Sequence, residues 1–118
     1  MTITNALASV AVNDLTRSMT WYQKLFGREA DSRPMPEVAE WQFKGGGWLQ
    51  VYQLKERAGA GSVTLVVSSL EDQIEHLRKT GIDSGEPIVS EQVKVVMIKD
   101  PDGNSIAFAE TLDSSMAR

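Results

Sequence analysis

Two stretches of this 118-residue chain, 55 positions apart, carry the same punctuation: Val12-Asn13-Asp14-Leu15 and Val67-Ser68-Ser69-Leu70. An internal repeat constrains the fold strongly, because each copy must adopt the same local structure. Before each stretch apolar residues alternate, as in a half-buried strand. After each, apolar residues recur at helical spacing: Leu15, Met19, Tyr22 and Phe26 with Leu25 beside them, then Leu70, Ile74 and Leu77. That spacing lays each set on one helix face. Asp14 and Ser69 suit N-caps, since their side-chain oxygens accept from free N–H groups of the first turn. Gly27 and Gly81 suit C-caps, where the backbone turns left-handed.

Beyond the first helix the pattern predicts a short strand or turn at Arg28–Asp31 and a loop at Ser32–Pro36. A strand Val38–Phe43, a turn Lys44–Gly47 and a strand Trp48–Gln53 follow. Beyond the second it predicts strands at Glu86–Val89, Val93–Lys99 and Ser105–Glu110, with a turn at Asp100–Asn104. Each half is strand, helix, three strands, with module boundaries at 3–54 and 62–111 in one domain spanning 1–118. Lys55–Gly61 reads as an exposed linker, and Leu112–Arg118 as a loose tail. A unit of about 55 residues does not easily bury a core alone. The halves therefore pack together, or pair across a dimer.

Strand residues two apart share a face. Ala8, Val10 and Val12 alternate with Leu7, Ser9 and Ala11; Val63, Leu65 and Val67 with Ser62, Thr64 and Val66; Ile106 and Phe108 with Ser105, Ala107 and Ala109. The bulkier set belongs under the helices. In the strand after the triple glycine, Leu49 and Val51 form the apolar face, and Trp48, Gln50 and Tyr52 lie opposite. If the second faces all point one way, they form a hollow with two aromatic walls and a few directed polar groups. The competing reading is that Trp48 and Tyr52 fill the space the small residues leave, as packed cores also alternate large with small. Either Glu40 and Gln42 or Trp41 and Phe43 can face that hollow. Burial of the two aromatics is favoured for their area, with Trp41 retained among the candidate ligand contacts.

Composition removes most chemistry. There is no cysteine, hence no disulfide, thiolate nucleophile or Cys-based zinc site, and there is one histidine. Net charge is −4, which disfavours nucleic acid. No apolar run approaches the length of a membrane span, and the opening residues lack a signal-peptide pattern, so the expected location is the cytoplasm. His76 falls off the apolar stripe and reads as a solvated surface residue. Asp100-Pro101-Asp102-Gly103-Asn104 reads as a turn rather than a calcium loop, and Gly45–Gly47 as a hairpin turn rather than a phosphate loop. Glu40, if it faces the hollow, is a candidate general base, and Glu110 is an alternative carboxylate. Arg33 and Met35 read as exposed loop residues at the cavity rim.

The order and spacing of Val10-Ala11-Val12-Asn13-Asp14-Leu15, Trp21-Tyr22, Leu25-Phe26-Gly27 and Asp100-Pro101-Asp102-Gly103-Asn104-Ser105-Ile106 resemble the vicinal oxygen chelate superfamily, which contains glyoxalases, bleomycin-resistance proteins and dioxygenases. The resemblance covers about Ile3 to Glu110. It implies an α+β fold in which two βαβββ modules form curved mixed sheets around a concave cavity, helices outside. It also implies that metal-using members carry ligands on the first and last strands of each module. The matching positions here are Leu7, Gln50, Ser62 and Ala107. Leucine and alanine offer no lone pair, and serine is a poor ligand for zinc, nickel or iron. The expectation is therefore a metal-free, cofactor-free binding protein, homodimeric, holding a small organic, planar or aromatic molecule. Trp48 and Tyr52 would stack, Gln50 would hydrogen-bond, Ser9, Ser62 and Thr64 would give room and minor polarity, and Trp41 is a further ligand-binding candidate. The alternative is a lyase, isomerase or dioxygenase of this superfamily with a non-standard metal or carboxylate site.

Overall fold

Both apolar stripes become helices in the computed structural model, which describes residues 2–112. β1 (Leu7–Val12) leads into α1 (Leu15–Phe26), followed by β2 (Ser32–Met35), β3 (Val38–Gln42) and β4 (Trp48–Gln53). The second half repeats the order with β5 (Ser62–Val66), α2 (Leu70–Thr80), β6 (Ile88–Val89), β7 (Val93–Lys99) and β8 (Ser105–Thr111). The two mixed sheets run β1-β4-β3-β2 and β5-β8-β7-β6. The first strand of each lies parallel to the last, and the other pairings are antiparallel. This is the α+β arrangement of two βαβββ modules.

The helix ends obey the residues placed there. Asp14 accepts from the Arg17 N–H and Ser69 from the Asp72 N–H, each at 3.2 Å. Gly27 and Gly81 close the helices with φ of 72° and 77°. A second pair of caps comes from far along the chain. Gln53 Oε1 at the end of β4 accepts from the Leu15 N–H at 2.9 Å, and Glu110 Oε1 in β8 accepts from the Leu70 N–H at 2.7 Å. The last strand of each module thus satisfies a free donor of its own helix.

Three segments depart from the sequence reading. Arg28–Asp31 is a connector, because its groups are engaged elsewhere. Arg28 pairs with Asp31 and with the Gln42 carbonyl, and the Arg28 carbonyl accepts from Trp41 Nε1. The strand lies instead at Ser32–Met35, where Pro34 is tolerated on a sheet edge and the register shifts around it. The expected strand Glu86–Val89 shrinks to Ile88–Val89, since Pro87 has no N–H for a ladder. In the predicted tail, the Leu112 N–H bonds the Gln92 carbonyl at 2.7 Å; the rest of that segment lies outside the described residues. Among the described residues no helix is long and apolar enough to cross a membrane.

The helix-facing sides of both sheets merge into one core. Val10, Trp41, Leu49 and Val51 meet Leu15, Tyr22 and Leu25, and this cluster is continuous with Val63, Leu70, Leu77, Ile106 and Phe108. The modules join along a seam where β1 lies beside β5 and α1 touches α2. One end of the seam is welded by the Asp100–Asn104 turn. The Asp100 carboxylate accepts from the Asp102 and Asn104 N–H groups, from Asn104 Nδ2 and from the Tyr22 hydroxyl, at 2.7–3.0 Å. Asn104, fully buried, also donates to the Ala11 carbonyl and accepts from the Gly61 N–H, both at 2.8 Å. Asp102 accepts from Asn13 Nδ2 at 2.8 Å. The linker glycines serve this weld rather than mere exposure. A Cβ at Gly59 would sit 2.4 Å from the Asp102 carbonyl oxygen, and one at Gly61 would sit 2.9 Å from Asn104 Oδ1.

Asn104→Ala leaves the Ala11 carbonyl and the Gly61 N–H unpaired in the interior. It is expected to cost about 2–4 kcal/mol in urea unfolding. Burial, and next the negative charge of Asp100, push the Tyr22 hydroxyl well above its ordinary pKa of about 10. A folded-state value above the unfolded one means that its stabilising contribution is complete below pH 10 and declines above it. The urea midpoint is expected to fall above pH 10, and to fall less steeply in Tyr22→Phe.

Candidate functional site

The side of the first sheet turned away from the helices carries three rungs of side chains. Register places Leu7, Trp48 and Gln42 in one rung, Ser9, Gln50, Glu40 and Ser32 in the next, and Ala11, Tyr52, Val38 and Met35 in the third. The middle rung is polar and linked. Ser9 Oγ donates to Gln50 Oε1 at 3.2 Å, and Gln50 Nε2 donates to Glu40 Oε2 at 3.0 Å. Trp48 and Tyr52, both half-buried, stand on either side, each about 7 Å along the strand from Gln50. The corresponding side of the second sheet is smoother: Ser62, Ser105 and Lys99, then Thr64, Ala107 and Met97, then Val66, Ala109 and Val95.

A cleft of about 760 Å³ opens beside the start of β1 and the end of β5, with Leu25, Phe26, Phe43, Trp48, Val66 and His76 in its walls. The triple-glycine turn forms part of its lip. A Cβ at Gly45, Gly46 or Gly47 would meet nothing within 4 Å, so packing does not demand glycine there. Only Gly46, at φ 100°, needs it for conformation. The tip of the second module welds the seam; the glycine tip of the first leaves it open.

The structure brings Ser9, Gln50, Tyr52, Trp48 and Glu40 onto one surface. Trp48 also lines the cleft, as does Thr64 from β5. Ser62 lies apart, on the second sheet opposite Ser105. Trp41 does not join them. It faces the helices, is fully buried, and packs between Tyr22 and Phe26 at ring-centroid distances of 6.0 and 5.4 Å. Glu40, on the alternate side of the same strand, therefore faces outward. Glu110 is withdrawn as a site carboxylate, because its oxygen caps α2. His76 is not a freely solvated residue: it is half-buried, with Nε2 2.9 Å from the Leu25 carbonyl, which makes that nitrogen the donor. Nothing local in the sequence announces this contact, which depends on α1 meeting α2. The Glu110 cap did have a signal, since Gln53 and Glu110 close the last strand of each repeat. Arg33 holds the Val38 and Pro36 carbonyls at 3.0 Å, while Met35 is exposed at the edge.

The positions matching the superfamily's metal ligands do not form a donor set. Leu7 and Ala107 present carbon, and both polar atoms of the Gln50 amide are engaged within the rung. Among the described residues no three His, Asp or Glu side chains converge as a metal site requires.

The model of the Glyoxalase/Bleomycin resistance protein/Dioxygenase superfamily matches residues 4–108, and the chain belongs to that family. A glyoxalase/bleomycin resistance protein from Catenulispora acidiphila DSM 44928 is 33% identical; the alignment covers 90% of this chain and 96% of that one, with a TM-score of 0.82. TnmS3, an antibiotic binding protein from Streptomyces sp. CB03234, is 21% identical over 94% of this chain and 98% of its own, with a TM-score of 0.81. A glyoxalase/bleomycin resistance protein from the same Streptomyces strain is 22% identical over 89% and 98%, with a TM-score of 0.76. These last two similarities speak for the fold. No curated protein matches the sequence significantly.

The two carboxylates separate in a stability measurement. Glu110→Ala is expected to lose about 1–2 kcal/mol by removing a helix cap. Glu40→Ala is expected to stay within about 0.5 kcal/mol of the parent in the same urea titration.

Proposed function

We propose that this protein binds a small, flat, aromatic organic molecule on the outward face of its first sheet, without a metal, and that sequestration or carriage rather than catalysis is its task. The observation that carries this reading is the hydrogen-bonded Ser9–Gln50–Glu40 rung set between Trp48 and Tyr52. Two aromatic walls supply stacking area, and the rung supplies direction, which is the composition of a ligand surface. The adjoining cleft, sharing Trp48, gives the ligand depth. One protein of the same fold binds an antibiotic; this agrees with the reading, although the likeness is one of fold.

The surface is open in a single chain, and a second copy is the proposed cover. The outward face of the second sheet exposes Val66, Met97 and Ile88, at 61%, 46% and 66%. Apolar area of that kind is what a homodimer would turn towards the aromatic rung of its partner. The absence of cysteine accords with action in the cytoplasm. Glu40's place on this face is what an enzymatic reading would build on. Yet the rung holds no second acid or base opposite it, and binding remains the better account.

Light scattering tests the assembly, with a dimer expected, and calorimetry with a panel of planar aromatics tests the ligand. Trp48→Ala is expected to weaken binding about tenfold, while far-ultraviolet circular dichroism stays unchanged. A folded dimer that binds no member of the panel would overturn the reading.

A further inference from the structure

Among the described residues no cation lies within ion-pair distance of the Glu40 carboxylate. Its Oε2 accepts from the Gln50 amide. The arginines of the same module are committed elsewhere: Arg17 to Asp102, Arg28 to Asp31 and the Gln42 carbonyl, Arg33 to two backbone carbonyls. Gln50 is itself fixed by Ser9, so the amide that orients Glu40 is pinned from its other end. The carboxylate is thus held in place, half-buried, on the strand beside the one that carries Trp48 and Tyr52, and on the same face.

Covering this surface, by ligand or by a second chain, would strip water from an unneutralised negative charge, which is costly unless a cation arrives with the cover. A carboxylate that shares its sheet face with two aromatic residues of the next strand suits one kind of guest. A protonated amine or amidinium on a flat ring system donates to the carboxylate, while its charge lies against the electron-rich faces of Trp48 and Tyr52. The geometry points to an organic cation: we infer that the ligand of this site is a planar aromatic carrying a protonated nitrogen, and that Glu40, oriented by Gln50, selects for that charge. This rests on the binding surface proposed above and adds the ligand's charge to it.

Two probes of the same outline separate the two ideas. 9-Aminoacridine is a tricyclic cation at neutral pH, and acridone is its neutral counterpart. In fluorescence titrations of the full chain at low salt, 9-aminoacridine is expected to bind at least about tenfold more tightly than acridone, the size of a charge-assisted hydrogen bond. Glu40→Gln, which keeps the shape and the Gln50 contact, is expected to erase that preference by weakening 9-aminoacridine at least about tenfold. Added salt is expected to weaken the cation selectively. Equal binding of both probes, or a preference that survives Glu40→Gln, overturns the assignment of charge to Glu40 while the hollow stands as a binding surface. Failure of both probes to bind the folded protein overturns the surface itself, and the charge preference with it.

Discussion

The Asp100 carboxylate is the hub on which the two modules turn. It gathers two backbone N–H groups of its own turn, the Asn104 amide and the Tyr22 hydroxyl of the opposite module. Such an arrangement holds because every donor and acceptor is satisfied: no buried side-chain nitrogen or oxygen among the described residues lacks a partner. Beside it, Asn104 and Asp102 of the same turn reach the Ala11 carbonyl and Asn13 across the seam. With these contacts, the seam has a defined register, and the outward faces of the two sheets are set at one fixed relation to each other.

That relation explains the asymmetry of the molecule. The repeat gives each module the same strands, the same helix and the same two caps, but the tip between the third and fourth strands differs. One tip is Asp100–Asn104, rich in short polar side chains that reach across the seam. The other is glycine, with nothing to reach with, and beside it the seam stays open. The last strands diverge as well. Trp48, Gln50 and Tyr52 occupy the register positions that Ser105, Ala107 and Ala109 hold in the second module. One half carries the aromatic and polar rung, and the other a weld and an apolar face.

Much of this was legible in the residues. Periodicity placed both helices, and cap chemistry placed their ends, because these depend on neighbours within a few positions. Alternation identified the outward face of β4, with Trp48, Gln50 and Tyr52 together. It left β3 undecided, since both of its faces carry a large or charged residue. The packing of Trp41 against Tyr22 and Phe26 settled that question by turning Glu40 outward. What could not be read were contacts between distant segments. The His76 contact with α1 and the close approach at Gly59 and Gly61 each join residues more than 40 positions apart; the caps given by Gln53 and Glu110 span about 40, and only the repeat hints at them. The strand at Ser32–Met35 was missed for another reason: proline argues against a ladder, and only its edge position permits one.

The caps from the last strands bear on how the chain acquires its shape as it is made. A helix whose first N–H group is satisfied by a residue about 40 positions later stays incomplete until that residue has been synthesised and docked. The leading helix can gain its distant cap once Gln53 emerges. Its trailing twin waits for Glu110, and the weld waits for Asn104. The shared core, which needs both halves, closes only after β8, the last strand, has docked.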